Sequence, residues 1–165
     1  MSIRNVARLA ALIAVGAIVA GCGEANDGNS TAPELQLRLV TSSADGSCTA
    51  EPLTADGPGA ACDRVQNTTY ELAKSLGAVT PRTVTRYSQG SEHTVNVDFD
   101  TANTATLNDV FAQAMDRQLA LLLDGEVLSA PTIKSPTFTG RVEISFETAD
   151  EADQIAAELG GSPTP

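Results

Sequence analysis

The chain of 165 residues carries one histidine, three cysteines and 21 acidic residues against 10 basic ones. Those side chains set its chemical options. A hydrolase or transferase needs a nucleophile, a base and a group that stabilises developing charge. His93 is the sole imidazole, and the S-E-H-T around it reads as a polar turn entering a strand, which predicts an exposed histidine without a catalytic role. The sequence contains no G-x-S-x-G, H-E-x-x-H, phosphate-cradling glycine loop or dinucleotide fingerprint. Asp98 and Asp100 lie two apart on an expected strand and so share a face. They could hold a hard cation weakly, but they lack the clustered ligands and the glycine of a calcium loop, and outward charge at a strand end is the better reading. The expectation is therefore of no enzyme, no catalytic residue, no cofactor and no metal site.

The cysteines offer more. Arg4 and Arg8 precede an uncharged apolar run from Leu9 to Ala20, too short for the roughly 20 residues of a spanning helix. The run ends in I-V-A-G-C, small residues before a cysteine, which resembles the bacterial lipobox. The resemblance implies that residues 1–21 are a lipoprotein signal peptide and that Cys22 is diacylated, with a palmitate-type anchor, as the new amino terminus. An ordinary secreted protein with a free Cys22 is the alternative, and a retained anchor helix is another. The expected location is the outer face of a bacterial cytoplasmic membrane, within the cell envelope. In an exported domain the remaining pair, Cys48 and Cys62, reads as a disulfide. It would close a loop of about 15 residues and contribute about 3 kcal/mol by chain entropy. A two-cysteine metal site is the alternative, but it lacks a second ligand pair and His93 is far along the chain.

The formal charge of −11 at pH 7 becomes more negative still once Arg4 and Arg8 are removed. Such a surface repels nucleic acid and anionic lipid headgroups. The acidity is dispersed, which reads as a solvated face rather than a cation store. With no Trp and few aromatics, a carbohydrate-stacking platform is excluded as well. Residues 22–34, small and polar, are expected to form a flexible tether, residues 35–160 one domain, and residues 161–165 a loose tail.

The elements that must position any site follow from periodicity. Leu35, Leu37 and Leu39 alternate with Gln36 and Arg38 as in a half-buried strand. Thr41 to about Arg64 is a long Gly, Pro and Ala-rich loop, either a variable decoration or part of a binding surface. Tyr70–Leu76 is ambiguous between a short strand and a helical turn, whereas Arg82–Tyr87 and Thr94–Phe99 read as extended. Leu107, Val110, Phe111, Ala114 and Met115 form one buried stripe of a helix from about Ala102 to Asp116. Leu119–Leu123 is a continuous apolar run suited to a central strand. Asp124-Gly125 is a two-residue hairpin signal, and the chain returns through Val127 and Leu128 to Pro131, where a ladder ends or lies at an edge. Val142, Ile144 and Phe146 alternate in the last strand. Thr148 and Glu151 form a capping box opening a helix whose buried stripe is Ala152, Ile155, Ala156 and Leu159, stopped by Gly160 and Gly161. The fold class is α+β: a largely antiparallel sheet of about six strands with two main helices packed on one face.

L-A-L-L-L-D-G-E-V-L-S-A-P-T-I (119–133) resembles the head subdomain of SecD, from the SecDF protein-export complex, where a strand ends in an L-D-G turn followed by V-x-S-A-P-x-I. T-G-R-V-E-I-S is similar to that family's G-G-x-x-x-I-T-G strand, and T-A-D-E-A-D-Q-I-A-A-E-L to its terminal helix, with L-G-G-S-P at the exit. Upstream, V-N-V-D-F-D and L-Q-L-R-L-V resemble its strands. The likeness covers most of Leu35–Pro163. Departures are the single Gly140 where two glycines are common, Phe146 in place of a glycine, and the disulfide loop. The family's base subdomain and proton-coupled membrane helices have no counterpart in these residues. What the resemblance implies is the fold and the role of holding emerging or unfolded polypeptide outside the membrane.

The small residues Ser129, Ala130 and Pro131, with Val127 and Ile133, mark a shallow strip at a sheet edge that could accept an extended peptide by strand addition. The expected function is a membrane-anchored, non-enzymatic binding module that contacts exported or unfolded polypeptides or envelope proteins. The alternative is a small-molecule or metal-binding lipoprotein presenting cargo to a transporter, with a pocket under the Cys48–Cys62 loop. A weak hydrolase is a third reading, which the missing catalytic constellation disfavours.

Overall fold

Alternation and turn chemistry account for most of the architecture. In the computed structural model, which describes residues 33–161, the order is β1 (Leu35–Asp45), β2 (Gly59–Cys62), β3 (Thr68–Val79), β4 (Thr83–Gln89), β5 (Glu92–Asp98), α1 (Thr101–Gln113), β6 (Leu119–Leu123), β7 (Glu126–Ser129), β8 (Arg141–Phe146) and α2 (Ala149–Glu158). The class is α+β, as expected, but the strands divide into two sheets. Five strands run in the order β2-β3-β1-β6-β7 and three in the order β4-β5-β8, with antiparallel pairing throughout. The strand total rises above six because the expected loop is partly extended. β1 runs on to Asp45 and β2 occupies Gly59–Cys62. The ambiguous Tyr70–Leu76 resolves as strand, within β3.

The main core lies between the sheets and both helices. Leu35, Leu37 and Leu39 of β1 and Leu119, Leu121 and Leu123 of β6 meet Val95 and Val97 of β5, Leu107 and Val110 of α1, and Ile155 and Leu159 of α2. α1 packs on β3 and α2 on β4, β5 and β8. Phe138, from the β7–β8 connection, stands edge-on to Phe99 and Phe111 with ring centroids 5.9 and 5.2 Å apart, a favoured aromatic geometry. The Thr148 hydroxyl accepts the Glu151 amide at 3.2 Å, and Ala152, Ile155, Ala156 and Leu159 are buried. One helical expectation is corrected: α1 stops at Gln113, and Met115 is 36% exposed. Asp116 takes a φ of 57°, so the chain has left the helix before Met115 could join the stripe.

β6 is buried along its whole length because the five-stranded sheet is covered on both faces. The second face carries its own cluster, Val40, Ala61, Leu72, Ala120, Leu122 and Val127, with Leu53 packed on it. A run of five apolar residues is the pattern such a strand requires.

Candidate functional site

The β6–β7 hairpin turns through Asp124 and Gly125, both at positive φ (52° and 84°), the geometry for which Asp-Gly is favoured. Gly125 has a second constraint. A Cβ there would sit 2.6 Å from the Leu53 nitrogen and 2.8 Å from the Pro52 carbonyl carbon, and the Leu53 amide donates to the Gly125 carbonyl at 3.0 Å. The turn is the docking post of the 48–62 loop.

That loop is a cover, held at three further places. Cys48 and Cys62 are joined in a disulfide. The Ser75 amide donates to the Asp56 carbonyl at 2.9 Å. The third hold is Arg38, expected to face solvent and instead 0% exposed. Its Nη1 donates to the Gly57 and Ala73 carbonyls at 2.6 and 3.2 Å, its Nε and Nη2 to Gln36 Oε1 at 3.2 and 3.1 Å, and Nη2 also to the Ala55 carbonyl. All of the guanidinium's donors are engaged, as a buried arginine requires. Burial pulls its pKa down, and the nearby Asp56 opposes that shift. Under the loop, Leu53 packs on the second-face cluster, and a cleft of about 450 Å³ lies at the loop's margin, lined by Asp56 with Gln36, Ser75 and Gly77.

The structure narrows the expected peptide edge. Val127 and Ile133 are buried, 2% and 5% exposed, with their side chains in the two cores. Ser129 and Ala130 are half-buried and Pro131 is exposed. Asp63 forms a parallel bridge with Val127, and the Pro131 carbonyl accepts the Leu119 amide. Leu128 is a bulge: Ser129 pairs with Leu121 and Val127 with Leu122, leaving Leu128 between them. A bulge re-aims a side chain, and this one lines a cleft of about 180 Å³ with Asp63, Val65, Tyr70, Phe146 and Glu151. A second cleft, of about 420 Å³, shares Arg64, Val65 and Glu151 and continues along α2 past Glu126, Glu147 and Gln154. Sequence reasoning missed this groove because its walls come from distant segments. Arg64 ties them together, bonding Glu158 at 2.7 Å and facing Glu126 at 3.8 Å. Burial, then the negative charges of Asp63 and Asp45, push the Tyr70 phenol above its ordinary range, so it lines the groove as a neutral group.

The other candidate residues do not assemble. Asp98 is engaged by Arg141 through both carboxylate oxygens, at 2.7 and 3.2 Å, while Asp100 caps α1 by accepting the Asn103 amide at 2.8 Å. That hydrogen bond holds the Asp100 carboxyl below its ordinary range. The two carboxylates are thus separately employed. His93 is half-buried rather than exposed and pairs across the β4–β5 hairpin with the Ser88 hydroxyl. Among the described residues no group of three or more His, Cys, Asp or Glu side chains could hold a metal ion. No helix among them is long and apolar enough to cross a membrane. Cys22 lies outside the described residues.

Residues 67–163 match the family described as SecDF, P1 head subdomain. The protein translocase subunit SecD of Acidaminococcus fermentans is 32% identical over 78 residues, which is 47% of this chain and 19% of that protein. SecD of Petrotoga mobilis is 31% identical over 88 residues, 53% of this chain and 19% of that protein. SecD of Calditerrivibrio nitroreducens is 33% identical over 81 residues, 47% of this chain and 16% of that protein. The chain therefore spans less than a fifth of these relatives. The fold is shared with the crystal structure of SecDF in super-membrane-facing form, at TM-score 0.55 and 22% identity over 77% of this chain and 18% of that one. It is shared equally, at TM-score 0.55 and 21% identity, with a structure of SecDF described as a membrane component that enhances protein export, over 78% of this chain and 62% of that one. β1, β2 and the disulfide loop precede the family match.

Proposed function

The chain belongs to the SecDF P1 head subdomain family, and on that premise we propose that it is a non-catalytic binding module that contacts polypeptides outside the cytoplasmic membrane in connection with protein export. We propose further that residues 1–21 are a signal peptide, that Cys22 carries the lipid anchor, that residues 22–34 are the tether and that residues 35–160 form the working domain. The observation that carries the polypeptide reading is the groove beside β7. It lies on the hairpin where the family likeness is sharpest, and its floor mixes apolar side chains with backbone at a sheet margin. A bulged strand with one short neighbouring bridge leaves room for an extended chain without exposing a long flat edge.

Two experiments test the parts separately. NMR titration of the chain with unfolded polypeptides should shift resonances around Glu126–Thr132 and Arg64–Val65; shifts spread evenly over the surface would sink the contact proposal. Metabolic labelling with a palmitate analogue should mark the wild type, and Cys22→Ser should abolish the label and release the protein from the membrane fraction. A labelled Cys22→Ser protein, or an unlabelled wild type, would overturn the anchor.

A further inference from the structure

We infer that the groove between the β2–β3 turn, β7 and α2 receives an extended polypeptide segment that carries lysine or arginine beside apolar residues. The inference rests on the polypeptide reading above and names its substrate class. Four carboxylates, Asp63, Glu126, Glu147 and Glu151, line the two joined clefts against one cation, Arg64. Arg64 is already committed to Glu158 and Glu126. Neither Glu147 nor Glu151 has a cationic partner within ion-pair distance among the described residues. A guest cation placed between them would meet carboxylates with no internal competitor.

The apolar half of the site is equally specific. Val65, at the tip of the β2–β3 turn, is 59% exposed, the most exposed of the large hydrophobic side chains described. It stands over the groove shared with Leu128 and Phe146. Charge beside apolar surface is the complement of a cationic, partly apolar segment, and complementary potentials confer selectivity more than raw affinity. Other occupants fit less well. Anionic guests are repelled. A second copy of this chain could offer only Lys74, Arg82 and Arg117, which are exposed and make no ion pair among the described residues, since Arg86, Arg141 and Lys134 are paired with Asp153, Asp98 and Asp116 in their own fold.

The test is fluorescence anisotropy of the purified chain with three labelled peptides of one apolar sequence, bearing paired Lys, Ser or Glu. The Lys peptide should bind tightest and lose affinity as salt rises, since exposed pairs are screened. Replacing Glu147→Gln together with Glu151→Gln removes no side-chain hydrogen bond or ion pair of the fold. That variant should weaken the Lys peptide by about tenfold and leave the Ser peptide unchanged. Val65→Ser should weaken all three. Equal binding of Lys, Ser and Glu peptides would overturn the cationic preference while leaving polypeptide contact standing. Failure of every peptide to bind would sink both. Self-association of the wild type that the double glutamine variant abolishes would place a second copy in the groove and overturn the inference.

Discussion

Replacing Arg38 by methionine isolates what the buried guanidinium does, because the apolar stem is kept and the donors are removed. Arg38 satisfies the carbonyls of Ala55, Gly57 and Ala73 and the Gln36 amide oxygen. A hydrogen bond to a charged group contributes about 1.5–3 kcal/mol, and simple addition would overshoot. The Ala55 and Gly57 carbonyls belong to the loop and regain water if it lifts, whereas Ala73 and Gln36 sit on the sheet. We therefore expect Arg38→Met to cost about 2–4 kcal/mol, in line with breaking a buried charged network. For a domain of this size that lowers Tm by roughly 10 °C. With no Trp in the chain, urea unfolding is followed by far-UV circular dichroism, with the disulfide kept oxidised. Hydrogen exchange gives the local readout. The Leu53 and Ser75 amides, which donate to Gly125 and Asp56, should exchange faster, while Leu121 and Leu122 should lose protection only as far as global stability falls. Stability within about 0.5 kcal/mol of wild type, or unchanged exchange at Leu53 and Ser75, would refute the idea that Arg38 holds the loop.

Three further outcomes follow from the same structure. Cys48→Ser with Cys62→Ser should cost about 3 kcal/mol in denaturant titrations. Combined with Arg38→Met it should lose about 1 kcal/mol less than the sum of the two, because both hold one loop and a loop already lifted has no second hold to lose; additivity would mean they do not. Gly125→Ala meets both a positive φ and backbone at 2.6 Å and should cost more than about 2 kcal/mol by thermal melt. Gly90→Ala, at φ 64° with open space around it, should cost only about 1 kcal/mol. Asp100 has a folded-state pKa below its unfolded one, so its contribution is complete above the unfolded pKa of about 3.9 and is lost as pH falls below it. Asp100→Asn keeps an amide-accepting cap and should flatten that acid limb in pH-dependent melts.

Much of this fold is legible where a local pattern decides the outcome. L-A-L-L-L announces a strand covered on both sides, Asp-Gly a tight hairpin, and Thr148 with Ala152, Ile155, Ala156 and Leu159 a capped amphipathic helix. β3 is hidden because Y-E-L-A-K-S-L-G lacks clean alternation. Its pairing with β1 shifts register between Leu37 and Val40 and again before Ser42, and bulges erase a period of two. The division into two sheets is not local either; the chain crosses between them three times, from β3 to β4, from β5 to β6 through α1, and from β7 to β8. Arg38 misleads for a physical reason. Alternation says which side of a strand a residue faces, not whether something later covers that side. The groove is less legible still, since Arg64 and Glu158, which join its walls, are 94 residues apart. The one available signal was Val65, an apolar residue between polar ones where a turn should be.

The disulfide loop, which the family likeness does not explain, is physically tied to that groove. Cys62 ends β2 and pairs with Thr69. The next residues are Asp63, which bridges to Val127 and accepts the Asn67 and Thr68 amides, then Arg64 and Val65, which form the wall. At the opposite wall, Gly125 receives the loop at Leu53 and is followed directly by Glu126, the partner of Arg64. One covalent crosslink therefore fixes the base of one wall, and the loop it closes presses on the base of the other. Without the cover, the second face of the sheet, with Val40, Leu72 and Leu122, would be an exposed apolar surface that attracts any unfolded chain indiscriminately. On the proposed reading, covering it would confine polypeptide contact to a narrow, acidic margin, and selectivity by charge would become achievable because the larger apolar surface is taken out of competition.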